Sequence, residues 1–127
     1  MIKKKSNEET TTPNERNFLS IHSKIKGDIS TQGVLRIDGI VEGNITVQGR
    51  LILGAKSKVQ GNIISDSLEI EGTLIGDCKI KETLALKQSA VVQGNIAYKS
   101  ISIDLGAQFT GTSKILSTEE KKNIKKL

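Results

Sequence analysis

Through the middle of the chain, apolar residues recur with a step of two in short bursts: Leu35-Arg-Ile37, Leu51-Ile-Leu53, Leu68-Glu-Ile70, Leu84-Ala-Leu86 and Ile101-Ser-Ile103. A step of two is the period of a β-strand, with one set of side chains facing inward and the other outward. Helical spacing does not fit these residues. The bursts are themselves periodic, lying 16, 17, 16 and 17 residues apart. A second phrase recurs between them: Ile25-Lys-Gly27-Asp-Ile29, Val41-Glu-Gly43-Asn-Ile45, Val59-Gln-Gly61-Asn-Ile63, Leu74-Ile-Gly76-Asp-Cys78, Val92-Gln-Gly94-Asn-Ile96 and Phe109-Thr-Gly111-Thr-Ser113. Its glycines are 16, 18, 15, 18 and 17 residues apart.

Repetition at a short period points to a solenoid, in which each unit buries its apolar side only against its neighbours. A unit of ~17 residues, holding two or three short strands and tight turns, closes into one coil of a parallel β-helix. Each strand then pairs with its equivalent in the next coil. The expected fold is all-β: a single-stranded β-helix of about six coils over residues 18–116, between a tail at 1–17 and a charged tail at 117–127. Like residues stack, so Ile25, Val41, Val59, Leu74, Val92 and Phe109 form one internal ladder, and Ile29, Ile45, Ile63, Cys78 and Ile96 another. With strands ~4.8 Å apart, the rod is roughly 25–30 Å long. The glycine of each phrase marks a corner, where positive φ or a missing Cβ is needed, and the adjacent Asn or Asp tolerates the left-handed region. The unequal spacings arise on one edge. From Ile37 to Val41 and from Ile70 to Leu74 the turn is tight, whereas Leu53 to Val59, Leu86 to Val92 and Ile103 to Phe109 are wider arcs.

Composition agrees with this and removes several functions. Aromatic residues make up 2% of the 127 residues, so Ile, Val and Leu must fill the core. Cys78 is the only cysteine and His22 the only histidine, which excludes a disulfide framework and any site needing several such ligands from one chain. The net charge of +5 is carried mostly by the tails. Without a basic face or stacking aromatics, nucleic-acid binding has no support. No cofactor is expected. No apolar run is long enough to span a membrane or serve as a secretory signal, so the expected compartment is the cytoplasm.

The whole pattern, from Ile25-Lys-Gly-Asp-Ile29 through Leu35-Arg-Ile-Asp-Gly-Ile-Val-Glu-Gly-Asn-Ile45 to Phe109-Thr-Gly111, resembles the bactofilins, bacterial polymer-forming cytoskeletal proteins. The resemblance covers roughly residues 18–116. It implies a right-handed, three-sided β-helix whose ends stack into nonpolar filaments without nucleotide. It further implies residence at the cytoplasmic face of the inner membrane, a service to cell shape or envelope organisation, and recruitment of cell-wall synthesis or peptidoglycan-remodelling proteins.

Polymerisation also follows from the fold. A β-helix leaves unpaired N–H and C=O groups at both ends, and identical coils of another molecule continue both the hydrogen-bond ladder and the apolar stacks. Phe18, Leu19, Ile21 and Ile25 are the first apolar residues of the array, and Phe109, Ile115 and Leu116 the last, so these are the expected interfaces. The competing arrangement is a cap. Ser117-Thr-Glu-Glu120 has capping-box spacing ahead of a stretch to Leu127, but a helix of that length is marginal on its own and a tail is expected. At the other end, Met1 and Ile2 beside Lys3, Lys4 and Lys5 form a candidate membrane toe-hold. The two apolar side chains supply ~2–4 kcal/mol on insertion and each lysine ~1 kcal/mol near anionic lipid. One copy holds weakly, whereas a filament multiplies it.

Other apparent motifs dissolve on inspection. Gly49 to Ser57 has one residue too many for a phosphate-binding loop and falls on a repeat strand. Cys78 stands where other repeats have Ile, as a small buried hydrophobe would. Asn44-Ile-Thr46 matters only in a secretory pathway. Asp38, Glu42, Asp66, Glu69 and Glu71 are spread over several coils as solvated faces. Three function classes remain: a self-assembling scaffold, a monomeric β-helix binding module, and a hexapeptide-type acyltransferase. The last needs a histidine base or several histidine ligands at a subunit interface. His22, ahead of the first full repeat, does not supply them.

Overall fold

The computed structural model describes residues 16–117. Met1 to Lys5, and the stretch from Glu119 to Leu127, lie outside this range. The strands in chain order are β1 (Arg16–Leu19), β2 (Lys24–Lys26), β3 (Ile29–Ile37), β4 (Ile40–Glu42), β5 (Ile45–Leu53), β6 (Lys58–Gln60), β7 (Ile63–Ile70), β8 (Thr73–Ile75), β9 (Cys78–Leu86), β10 (Val91–Gln93), β11 (Ile96–Ile103), β12 (Gln108–Thr110) and β13 (Ser113–Ile115). Odd-numbered strands form a seven-stranded sheet and even-numbered strands a six-stranded one, each in strict sequence order. Pairing is parallel throughout, for instance between β3 and β5 and between β4 and β6. There is no helix among the described residues. The solenoid begins at Arg16, two residues inside the segment taken from sequence as tail.

Each coil contains one short and one long strand, where two or three strands of similar length were expected. The long strand turns a corner within itself. In β5, Ile45 and Val47 face inward, Gln48 is exposed, and Leu51 and Leu53 face inward again. Gly49 makes the bend with φ 146°. One long strand therefore serves two sides of the coil and the short strand the third. The strand β7 is one residue shorter than β5, and the register slips between Val47 and Arg50 to absorb the difference. Ser65 sits at the slip, 1% exposed, and its hydroxyl donates to the Ser67 carbonyl at 2.7 Å, which satisfies a polar group inside an aliphatic core.

Register places like over like. Val41, Val59, Leu74 and Val92 form one fully buried ladder, with Ile25 and Phe109 at its ends. Ile45, Ile63, Cys78 and Ile96 form the second, and Leu51, Leu68 and Leu84 beside Leu53, Ile70 and Leu86 complete the second half of the long strands. A further stack runs through Thr31, Val47, Ser65, Ile80, Tyr98 and Ile115. Each buried Val, Leu or Ile contributes about 1.5–3 kcal/mol by leaving water, so aliphatic ladders hold the rod without aromatic bulk.

Corners are held by a second device. The Asn or Asp after four of the corner glycines accepts a hydrogen bond from the backbone of the next coil. Asn44 N–H donates to Asp28 Oδ1 at 2.9 Å, Asn62 N–H to Asn44 Oδ1 at 3.0 Å, Asp77 N–H to Asn62 Oδ1 at 3.1 Å and Asn95 N–H to Asp77 Oδ1 at 2.9 Å. The Asn and Asp residues are thus rungs between coils as well as turn formers. Replacing Asn62 with alanine is expected to cost about 0.5–1.5 kcal/mol. The urea midpoint should fall with the slope unchanged; an unshifted midpoint would remove the rungs from any account of stability.

Candidate polymerisation tips

Because the chain winds as a single spiral, each end of the rod is a stair of open strand edges. At the N-terminal tip, β1 covers only Val34 to Ile37 of β3, which leaves β1 itself, β2 and the first half of β3 without an outer neighbour among the described residues. At the C-terminal tip, β13 covers only Ile96 to Tyr98 of β11. Among the described residues, the outer edges of β13, of β12 and of the Ser100 to Ile103 part of β11 have no partner strand. Each edge carries unpaired backbone groups, the feature that invites another strand.

The side chains at the two tips differ in character. Inward positions at the N-terminal tip are Asn17, Leu19, Ile25, Ile29 and Thr31, and Asn17 Nδ2 donates to Thr31 Oγ1 at 3.1 Å. Their counterparts at the C-terminal tip are Ile101, Ile103, Phe109, Ser113 and Ile115. Tyr98 fills the core just beneath, its hydroxyl hydrogen-bonded to Ser113. Leu19, Ile29, Ile101 and Phe109 pack on the core from the ends, whereas Ile115 is 69% exposed.

Of the residues singled out from sequence, Leu19, Ile25, Phe109 and Ile115 stand at the tips. Phe18 is exposed, but it aligns with Arg36 on the outer side of the first coil. Ile21 is exposed in the turn between β1 and β2. Leu116 is not at a tip: only 3% exposed, it packs with Ala97 and Ile64. Strand alternation explains this, since Ile115 faces inward and its successor must face out. Sequence reading missed Ile103 and Leu105, which are 54% and 95% exposed. The signal was present, because Ile103 continues the Leu53, Ile70 and Leu86 stack and no strand among the described residues follows it there.

Catalytic chemistry finds no assembled site among the described residues. Cys78 is buried in a ladder, and its thiol is pushed up to about 12, chiefly by burial, so the reactive thiolate is suppressed. His22 lies in an exposed turn and Lys56 in another. No group of three or more His, Cys, Asp or Glu side chains is arranged to hold a metal ion among those residues. No helix there is long and apolar enough to cross a membrane.

A regular stack of parallel coils in strict sequence order defines a parallel β-solenoid. The family model of bactofilin, described as polymer-forming cytoskeletal, matches residues 17–114. The chain belongs to the bactofilin family. It is similar to the bactofilin of Thermus thermophilus reconstructed by electron cryomicroscopy as double helical filaments, with 28% identity over 79% of this chain and 99% of that one, and a TM-score of 0.76. It is also similar to the cytoskeletal bactofilin BacA determined by solid-state NMR, with 29% identity over 80% of this chain and 97% of that one, and a TM-score of 0.72. No curated protein matches the chain.

Proposed function

We propose that this bactofilin is a scaffold whose rods join tip to tip into nonpolar filaments, N-terminal tip against N-terminal tip and C-terminal tip against C-terminal tip, without nucleotide. The observation that carries this reading is the order of inward residues around each tip. In a head-to-tail junction the stacks would place Asn17 on Ile101, Thr31 on Ile115 and Ile29 on Ser113, three polar-on-apolar pairs. A two-fold junction centred on the short strands reverses the order. At the N-terminal tip it places Ile25 on Ile25, Leu19 on Ile29 and Asn17 on Thr31, like on like throughout. At the C-terminal tip it places Phe109 on Phe109 and Ile101 on Ile115, with Ser113 against Ile103 as the single mismatch. Burying polar atoms against apolar ones is costly, so the two-fold arrangement wins. The experiment is size analysis of single-tip variants, developed in the Discussion.

The scaffold works at the cytoplasmic face of the inner membrane, supporting cell shape or envelope organisation and gathering cell-wall synthesis or peptidoglycan-remodelling proteins. Support for the membrane comes from Met1, Ile2, Lys3, Lys4 and Lys5, whose apolar and cationic side chains suit anionic lipid. Repetition along a filament turns a weak grip into a firm one. Deleting residues 1–15, which spares β1, is expected to preserve filaments and to lower co-sedimentation with anionic vesicles severalfold. Unchanged co-sedimentation would sink the toe-hold.

A further inference from the structure

The outer side of the short-strand sheet carries all its charge at one end. The outward residues of β2, β4 and β6 are Lys24, Lys26, Ile40, Glu42, Lys58 and Gln60, because Ile25, Val41 and Val59 between them take the inward ladder. Those of β8, β10 and β12 are Thr73, Ile75, Val91, Gln93, Gln108 and Thr110, none of them charged. Lys24 Nζ lies 3.4 Å from Glu42 Oε2, which engages the one carboxylate on the three cationic strands. Lys26 is exposed and has no ion pair among the described residues. Asp28, just past β2, accepts the Asn44 N–H at 2.9 Å.

We propose that a multivalent phosphate anion bridges Lys24 and Lys26 of two molecules and tightens the N-terminal junction, while the C-terminal junction is indifferent to it. The inference rests on the two-fold reading of the tips. In that junction β2 meets its copy antiparallel about Ile25, so Lys24 faces the copy's Lys26 and Lys26 faces the copy's Lys24. Opposed residues of antiparallel strands have Cβ atoms ~4.5–5.5 Å apart, and like charges at that position destabilise the pairing. Glu42 does not relieve this, because its place in the register is behind Lys26, one coil away from the axis. At the C-terminal junction β12 meets its copy about Phe109, and Gln108 faces Thr110, both neutral. A monovalent anion only screens the lysines. An anion with several phosphate oxygens, free in solution or set in a lipid headgroup, forms charge-assisted hydrogen bonds with both molecules at once. Assembly then has two stages: C-terminal pairs form under all conditions, and phosphate links the pairs into filaments.

Phe109→Arg isolates the N-terminal junction and Ile25→Arg the C-terminal one, so each full-length variant reports on one contact. Pairing is measured by analytical ultracentrifugation in sodium chloride and in sodium pyrophosphate at equal ionic strength. Pyrophosphate should tighten the pairing of Phe109→Arg about fivefold or more and leave that of Ile25→Arg unchanged. Adding Lys24→Gln and Lys26→Gln to Phe109→Arg should tighten pairing in sodium chloride and abolish the response. Cross-linking of the same molecules on phosphatidylglycerol vesicles separates the sources: a rise there that needs both lysines, without a response to pyrophosphate, assigns the phosphate to lipid. Pairs of Phe109→Arg that ignore both phosphate sources, or that respond no more than those of Ile25→Arg, overturn the proposal and leave the two-fold reading standing. Single molecules from both variants in every condition overturn the two-fold reading and the proposal with it.

Discussion

Phe109→Arg is expected to replace filaments with particles of two molecules, joined through the N-terminal tip that the substitution leaves alone. Phe109 closes the ladder of Val41, Val59, Leu74 and Val92 and is the centre of the two-fold junction proposed for the C-terminal tip. Two such residues would meet there, so two guanidinium groups would replace two rings at the least hydrated point of the contact. A cost of about 4 kcal/mol raises the concentration needed for that contact about a thousandfold. Ile25→Arg, at the centre of the other junction, should also give pairs. Analytical ultracentrifugation with negative-stain microscopy separates the outcomes. Single molecules from both variants would show that junctions are head-to-tail, and filaments from either would show that the assigned tip is wrong.

Gly61→Ala should be among the most damaging single-methyl changes in the rod. Gly61 adopts φ +152°, a conformation that residues with side chains rarely adopt, and a Cβ there would lie 2.0 Å from the Gly43 carbonyl oxygen and 2.6 Å from its carbon. Both obstacles are backbone, so relief requires separating two coils along their whole corner. The loss should exceed about 4 kcal/mol, lowering Tm by about 15 °C or more. Gly27 is the control. It has φ +138°, but nothing lies within 4 Å of its Cβ position. Gly27→Ala then carries only the backbone strain, about 1–3 kcal/mol. Both are best measured in the Ile25→Arg, Phe109→Arg background, in which both proposed contacts are spoiled, so that assembly does not add to apparent stability. Equal losses at the two positions would mean that contact between coils is not what fixes the corners as glycine.

The internal ladders were legible in the sequence because parallel register forces equivalent residues onto one another, which writes the fold as a period. The stack from Thr31 to Ile115 was not, since its members include Thr31, Ser65 and Tyr98 and the register slips at Ser65. A mixed column has no common letter to align. Asn44, Asn62 and Asp77 were seen as turn residues, and their bonds to the next coil become visible only once the coils are stacked. The tips were half legible. Phe109 and Ile25 could be named as ladder ends, but the exposure of Ile103 and Leu105 comes from the absence of a following coil, a property of topology and not of the residues. Leu116 was misplaced because being the last apolar residue was weighed above the alternation that turns it outward.

Every strand pairs only with those of the adjacent coils, so a pull along the rod is carried in series and the weakest boundary sets the yield force. The end boundaries carry the fewest rungs, four pairs between β1 and β3 and three between β11 and β13 against nine between β3 and β5. Under tension, the molecule should therefore peel from its end coils while the aliphatic interior stays wound.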